Sequence, residues 1–320
     1  MSLDILFENL SNPALLFFLL GIVAVQVKSD LFIPETTSKF ISLYLLFSIG
    51  FKGGQELAHS HFQTEMLWTI LFGISSAVVV PIYAFFVLRK KLGVDNAGAI
   101  AAAFGSISAV TFVTGVSYLE MREIEFGGYM IALMALMEAP AIIIGLLLIS
   151  LYRDSGDADH PSILHSVKHS ITNGSVLLIL GSLAIGFIAS EKQAAGIAPF
   201  TTDIFKGFLA FFLLDMGIIS GKKLSELRKH GLFPFAFSIA LPLFNGITTA
   251  YLSGFITGSE GDRLLLSILV ASASYIAVPA SMKLAVPKAN PGLYVPMALA
   301  ITFPFNIAIG MPIYLSVIKG

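Results

Sequence analysis

Three stretches of this sequence place polar groups in strongly apolar surroundings. The first is Glu138, in MALMEAPAIIIGLL, with Pro140 two residues on. In a hydrocarbon environment a carboxylate is costly, and by default it binds a cation, carries a proton or braces a neighbouring helix. The second and third are runs of small hydroxyl residues: AAAFGSISAVTFVTG, with Ser106 and Ser108, and LVASASYIAVPASMKL, with Ser272 and Ser274. A helix interrupted in such a run presents unpaired N–H groups and about half a positive charge at its broken end. Two such ends meeting would hold a small anion through Gly105, Ser106, Ile107 and Ser108 on one side and Ser272, Ala273, Ser274 and Tyr275 on the other, with no buried Arg or Lys. Asn306, in TFPFNIAIG, is a hard oxygen donor in surroundings like those of Glu138. With the hydroxyls of Thr111 and Thr302, the two suit a small cation such as Na⁺. The competing readings are close helix packing for the small residues and a structural hydrogen bond for the carboxylate.

These groups need a scaffold, and the composition names its solvent. Of 320 residues, 56% are hydrophobic and only 12% charged, and the mean hydropathy is +0.86, which calls for an integral membrane protein rather than a water-soluble core. Apolar runs predict helices over 13–28, 36–56, 64–90, 95–121, 127–152, 170–190, 201–221, 231–256, 262–286 and 294–318. The fold class is therefore all-α, with ten transmembrane helices of which the fourth and ninth are broken. The polar stretch RDSGDADHPSILHSVKHS separates five helices from five. The expected organisation is one transporter domain: a first repeat over 1–152, a connecting loop over 153–169 and a second repeat over 170–320.

The halves match at an offset of 167 residues. Gly50, Gly54 and Leu57 fall on Gly217, Gly221 and Leu224, Asp95 on Asp262, and Tyr129-Met130 on Pro296-Met297. An odd number of spans per repeat forces opposite orientations, the 5+5 inverted repeat of many secondary transporters. The Gly spacings read as helix packing rather than phosphate binding, since no Lys-Ser/Thr follows them. Thirteen Lys and Arg fall at one set of helix ends and six at the other, which puts the central loop in the cytoplasm and both termini outside. The N-terminal MSLDILFENLSN has two acids and no base, so no signal cleavage is expected.

Several functions are disfavoured. With no Cys there are no disulfides or thiolate metal sites, and a net charge of −1 gives no reason to expect nucleic acid. Neither HExxH nor GxSxG occurs, so no enzyme and no cofactor is expected beyond Na⁺ as a coupling ion. A membrane sensor would need a soluble domain that this sequence does not carry. The residues thus favour a secondary transporter of a small anion. Another organic anion, or a proton-coupled exchanger working through Glu138, is the alternative.

IGFKGG (49–54), GSISAVT (105–111), MEAPA (137–141), MG followed by LSELRK (216–229), and KANPGLY with AITFPFNIAIGMPIY (288–314) together resemble the sodium-dependent bicarbonate transporter family. The resemblance runs through most of the chain. It implies a gate domain and a core domain, bicarbonate held where the broken helices cross, Na⁺-coupled symport across the cell inner membrane, a homotrimer, and regulation by a PII-like cytoplasmic protein. The ninth span departs from the family pattern: Tyr275 stands near an acidic position, and of a Gly-Pro-Pro only Pro279 is kept. The central loop is also short.

Overall fold

The computed structural model describes residues 13–59, 63–153, 174–227 and 231–320; the N-terminal twelve residues and nearly all of the central loop lie outside them. Among the described residues 85% are helical and none is in a strand. The helices are α1 (Pro13–Gln26), α2 (Glu35–His59), α3 (Thr64–Leu92), α4 (Val94–Gly105), α5 (Ala109–Glu120), α6 (Tyr129–Leu136), α7 (Glu138–Tyr152), α8 (Gly174–Ile188), α9 (Glu191–Ala198), α10 (Phe205–Leu227), α11 (Leu232–Leu252), α12 (Glu260–Ala271), α13 (Ala277–Ala285), α14 (Pro291–Pro296), α15 (Phe303–Phe305) and α16 (Met311–Lys319). Among the described residues six segments are long and apolar enough to cross a membrane: Thr64–Leu92, Val94–Glu120, Tyr129–Tyr152, Glu191–Leu224, Leu232–Phe255 and Pro291–Lys319. Helix also fills the other intervals expected to span, where they are described. The ninth does not qualify as one long helix because residues 272–276 divide it into α12 and α13.

Proline chemistry accounts for the other interruptions. Pro140 has no N–H to give Leu136, and α6 ends at that residue, so Glu138 opens α7 instead of sitting in mid-helix. An acid in a first turn also faces the positive end of the helix dipole. The last span carries Pro291, Pro296, Pro304 and Pro312, and it is α-helical only in pieces. Wider π turns fill Met297–Thr302 and Asn306–Gly310.

Two helix pairs pack backbone to backbone, α2 on α8 and α10 on α1. A Cβ on Gly54 would lie 2.1 Å from Leu183 O, and one on Gly217 would lie 2.0 Å from Phe18 O. Any larger residue would force these helices apart, so the Gly spacings serve close packing, as the sequence suggests. Among the remaining helices α3, α4 and α7 pack together, and α12 packs chiefly on α11. Acidic residues tie the starts of α4 and α12 to the ends of the fifth expected span. Asp95 receives Arg153 Nε at 3.1 Å. Asp262 accepts from Gly127 N at 2.6 Å and from the Tyr129 hydroxyl at 2.8 Å. These anchors hold the two interrupted helices against the segment that carries Glu138.

Candidate functional site

The two interruptions meet. Residues 106–108 separate α4 from α5, and residues 272–276 separate α12 from α13. Ser106 and Ser272 close α4 and α12 with nearly the same extended torsions, φ −86° and ψ 178° against φ −84° and ψ 171°. This aligns Ser106 with Ser272 and Ser108 with Ser274, one residue away from the register that the Gly and Asp matches give. Ser108 N donates to Ser272 Oγ at 2.9 Å, and Ser274 N donates to Ala103 O at 2.8 Å. Each break therefore lends backbone donors to the other.

The hydroxyls also cap the helices that restart. Ser108 Oγ accepts from Thr111 N at 3.2 Å, and Ser274 Oγ accepts from Val278 N at 3.3 Å. An oxygen that accepts in this way still has its own proton to donate. The first N–H groups of α5 and α13 lack intrahelical partners by construction. The residues that carry them, Ala109, Val110 and Ala277, line a partly open cavity. Ile107, Ser108, Ser274, Tyr275 and Glu138 share its wall. The sequence-predicted anion residues thus divide. Gly105 packs against the ring of Pro81, Ala273 joins the apolar core, and Ser106 Oγ donates to Glu138 O at 3.3 Å. Ser272 is committed to Ser108 N and, at 2.9 Å, to Leu269 O. Tyr275 sets its ring edge-on to Phe303, and its hydroxyl lies 4.0 Å from Met216 Sδ, so it stands between the cavity and α10.

The expected cation residues are not gathered in the same way. Glu138 is 9% exposed and lines the cavity. Thr111 is buried in the first turn of α5, and its hydroxyl has no hydrogen-bond partner among the described residues. Asn306 instead donates from Nδ2 to Ala271 O at 2.8 Å and accepts from the Tyr314 hydroxyl at 3.0 Å. Thr302 donates to Ser238 O at 2.8 Å. Among the described residues no three His, Asp or Glu side chains cluster as a metal site.

Sequence reading passed over Ser42 of α2 and Ser175 of α8, which complete the polar part of the cavity wall. Ser42 is a lone hydroxyl in an apolar run and Ser175 ends the polar stretch SITNGS, signals too common to single out. It also passed over Asn245 in LPLFNGITTA, whose Nδ2 donates to Val270 O at 3.3 Å while its Oδ1 accepts from Tyr83. A buried amide in an apolar helix was the available clue.

The chain matches a family model described as the Na⁺-dependent bicarbonate transporter superfamily over residues 13–319. Comparison with curated proteins finds no significant match.

Proposed function

This chain belongs to the Na⁺-dependent bicarbonate transporter superfamily, and from that premise we propose that it takes up bicarbonate by Na⁺-coupled alternating access. The observation that carries the reading is the make-up of one cavity wall: the N-terminal turns of two half-helices, the serine hydroxyls at both breaks and the carboxylate of Glu138. The helix ends favour an anion. A bare carboxylate in the same cavity opposes one, since like charges a few ångströms apart in low dielectric repel strongly. A cation held by Glu138, with the free hydroxyl of Thr111 as a further oxygen, removes the conflict and makes anion binding depend on Na⁺.

In this reading α4, α7 and α12 carry the site, and the glycine-packed pairs α1–α10 and α2–α8 form the gate against which they move. Ten spans in a 5+5 inverted repeat, inner-membrane location, outward termini and a cytoplasmic central loop complete the proposal. So do the homotrimer and the PII-like regulator that the family resemblance implies. The decisive experiment is uptake of labelled bicarbonate into proteoliposomes under an inward Na⁺ gradient, with choline as the control. Acceleration by Na⁺ alone supports the reading. Uptake driven by a proton gradient in choline would transfer the role of Glu138 to proton exchange. Counterflow with unlabelled organic anions identifies any other substrate.

A further inference from the structure

The C-terminal end of α12 closes the ninth span's first half, and its last carbonyls would be left unpaired at the break. The protein supplies its own donors. Asn306 Nδ2 reaches Ala271 O at 2.8 Å, Asn245 Nδ2 reaches Val270 O at 3.3 Å, and Ser272 covers Leu269 O. Each amide is then held from behind. Tyr314 donates to Asn306 Oδ1 at 3.0 Å and lies 3.1 Å from Pro242 O, and Tyr83 donates to Asn245 Oδ1. Asn306 and Tyr314 are fully buried.

Pro242 explains the second member of the set. It lies inside α11 and cannot donate to Ser238 O, four residues back. Thr302 Oγ1 fills that vacancy at 2.8 Å. Both residues that the sequence groups with Glu138 therefore have structural partners of their own. The near counterpart in the first half, one residue off the 167-residue match, is Glu138, whose side chain lines the cavity while its backbone oxygen receives Ser106. One half keeps a charge at this place, and the other keeps a neutral amide turned towards the helix end.

We infer that Asn306 is a positioning residue: held by Tyr314, it caps α12 and fixes the ninth-span side of the crossing, and it does not ligate the coupling cation. The inference rests on the transport reading only for where the anion sits. The two roles predict opposite signs for Asn306→Asp. A carboxylate there replaces a donor with acceptors, directly against carbonyls at the negative end of a helix dipole. A cation ligand would instead gain charge and bind more tightly.

The test measures thermal unfolding of the purified full chain, wild type and Asn306→Asp, in choline chloride and over a NaCl titration. The positioning role predicts a melting temperature several degrees lower for Asn306→Asp in choline, which NaCl does not restore. Stability equal to wild type in choline would overturn the inference, and so would recovery by Na⁺ at lower concentration than wild type responds to. These readouts need no bicarbonate transport, so a wild type inactive in uptake defeats the functional reading and leaves this one standing on its own result. Should Asn306→Asp fail to fold, Tyr314→Phe decides in proteoliposomes. The expected result is a three- to tenfold higher half-saturating bicarbonate concentration, with half-saturation by Na⁺ within twofold of wild type. A shift in Na⁺ half-saturation with bicarbonate unchanged, or no shift in either, would refute the assignment.

Discussion

Ser272→Ala tests the crossing at the side-chain hydrogen bond between the two breaks. Ser272 is 1% exposed, and its Oγ accepts from Ser108 N at 2.9 Å while donating to Leu269 O at 2.9 Å. Losing the hydroxyl does not orphan Leu269 O, because Ser272 N still donates to it at 3.3 Å. Ser108 N–H has no such reserve. A buried donor left without a partner costs about 1–3 kcal/mol, and at about 2 °C per kcal/mol that is a fall of roughly 2–6 °C in melting temperature. Ser108 also lines the cavity, so bicarbonate can accept the freed N–H. Saturating ligand should then recover part of the loss, since binding at about 100 times Kd is worth about 2.7 kcal/mol and the variant gains an extra donor. The assay is thermal unfolding of the purified protein in Na⁺ buffer, with and without bicarbonate. The expected pattern is a lower melting temperature without bicarbonate and a larger bicarbonate-induced rise than in wild type. A variant that melts with the wild type in bicarbonate-free buffer would mean that Ser272 does not hold Ser108 N–H, and the crossing as described would be wrong.

Three further outcomes are expected. Glu138→Gln should raise half-saturation by Na⁺ in bicarbonate uptake tenfold or more with the protein still folded, because an amide keeps the shape and removes the charge; unchanged Na⁺ dependence would give Glu138 a structural role. Gly105→Val should abolish uptake, because even a Cβ there would lie 2.2 Å from Pro81 Cγ, and overpacking of this kind costs about 1–3 kcal/mol; full activity would show that α4 does not abut Pro81. Tyr275→Asp should steepen the Na⁺ dependence of bicarbonate binding, by adding negative charge to the cavity wall beside Ser108; equal dependence in both proteins would make Tyr275 a packing residue.

The places where helices break were legible because small hydroxyl residues in an apolar run have a direct physical consequence. The sequences around Ser106 and Ser272 interrupt helices within a residue or two of where composition points. Glu138 stood out for the same reason, although the turn before it went unread despite Pro140. What could not be read was pairing at long range. Thr302 looks like a candidate cation ligand until Pro242, in another helix, is seen to leave Ser238 O open. Asn306 looks like the partner of Glu138 until the end of α12 comes to rest against it. The 167-residue match is drawn from glycines and an aspartate in the sequence, yet the helix ends at the crossing align one residue short of it. Sequence offsets average over a whole repeat, whereas cap geometry is set locally by hydroxyl and backbone donors.

The charges around the cavity lead to a last prediction. In the proposed mechanism two half-helix N-termini contribute about +0.5 each, and Glu138 contributes −1, so the empty site is close to neutral. Adding Na⁺ and bicarbonate together leaves that total unchanged, whereas adding either alone leaves a net charge of about one in low dielectric. Carrying an unbalanced charge past apolar surroundings is costly, at least about 2.5–3.5 kcal/mol by insertion scales, or roughly a hundredfold in the population that moves. The cavity wall also takes in the side chains of Leu45, Leu46 and Val113, which offer such a charge no compensation. Empty and doubly loaded forms should therefore move and singly loaded forms should not, which couples the two fluxes one to one. Transport on that scheme is electroneutral. Bicarbonate uptake into proteoliposomes under a fixed Na⁺ gradient should keep the same initial rate when a potassium diffusion potential of either sign is imposed with valinomycin. A rate that rises with an inside-negative potential would mean that more than one Na⁺ enters per bicarbonate, and Glu138 would then not be the sole charge that balances the cation.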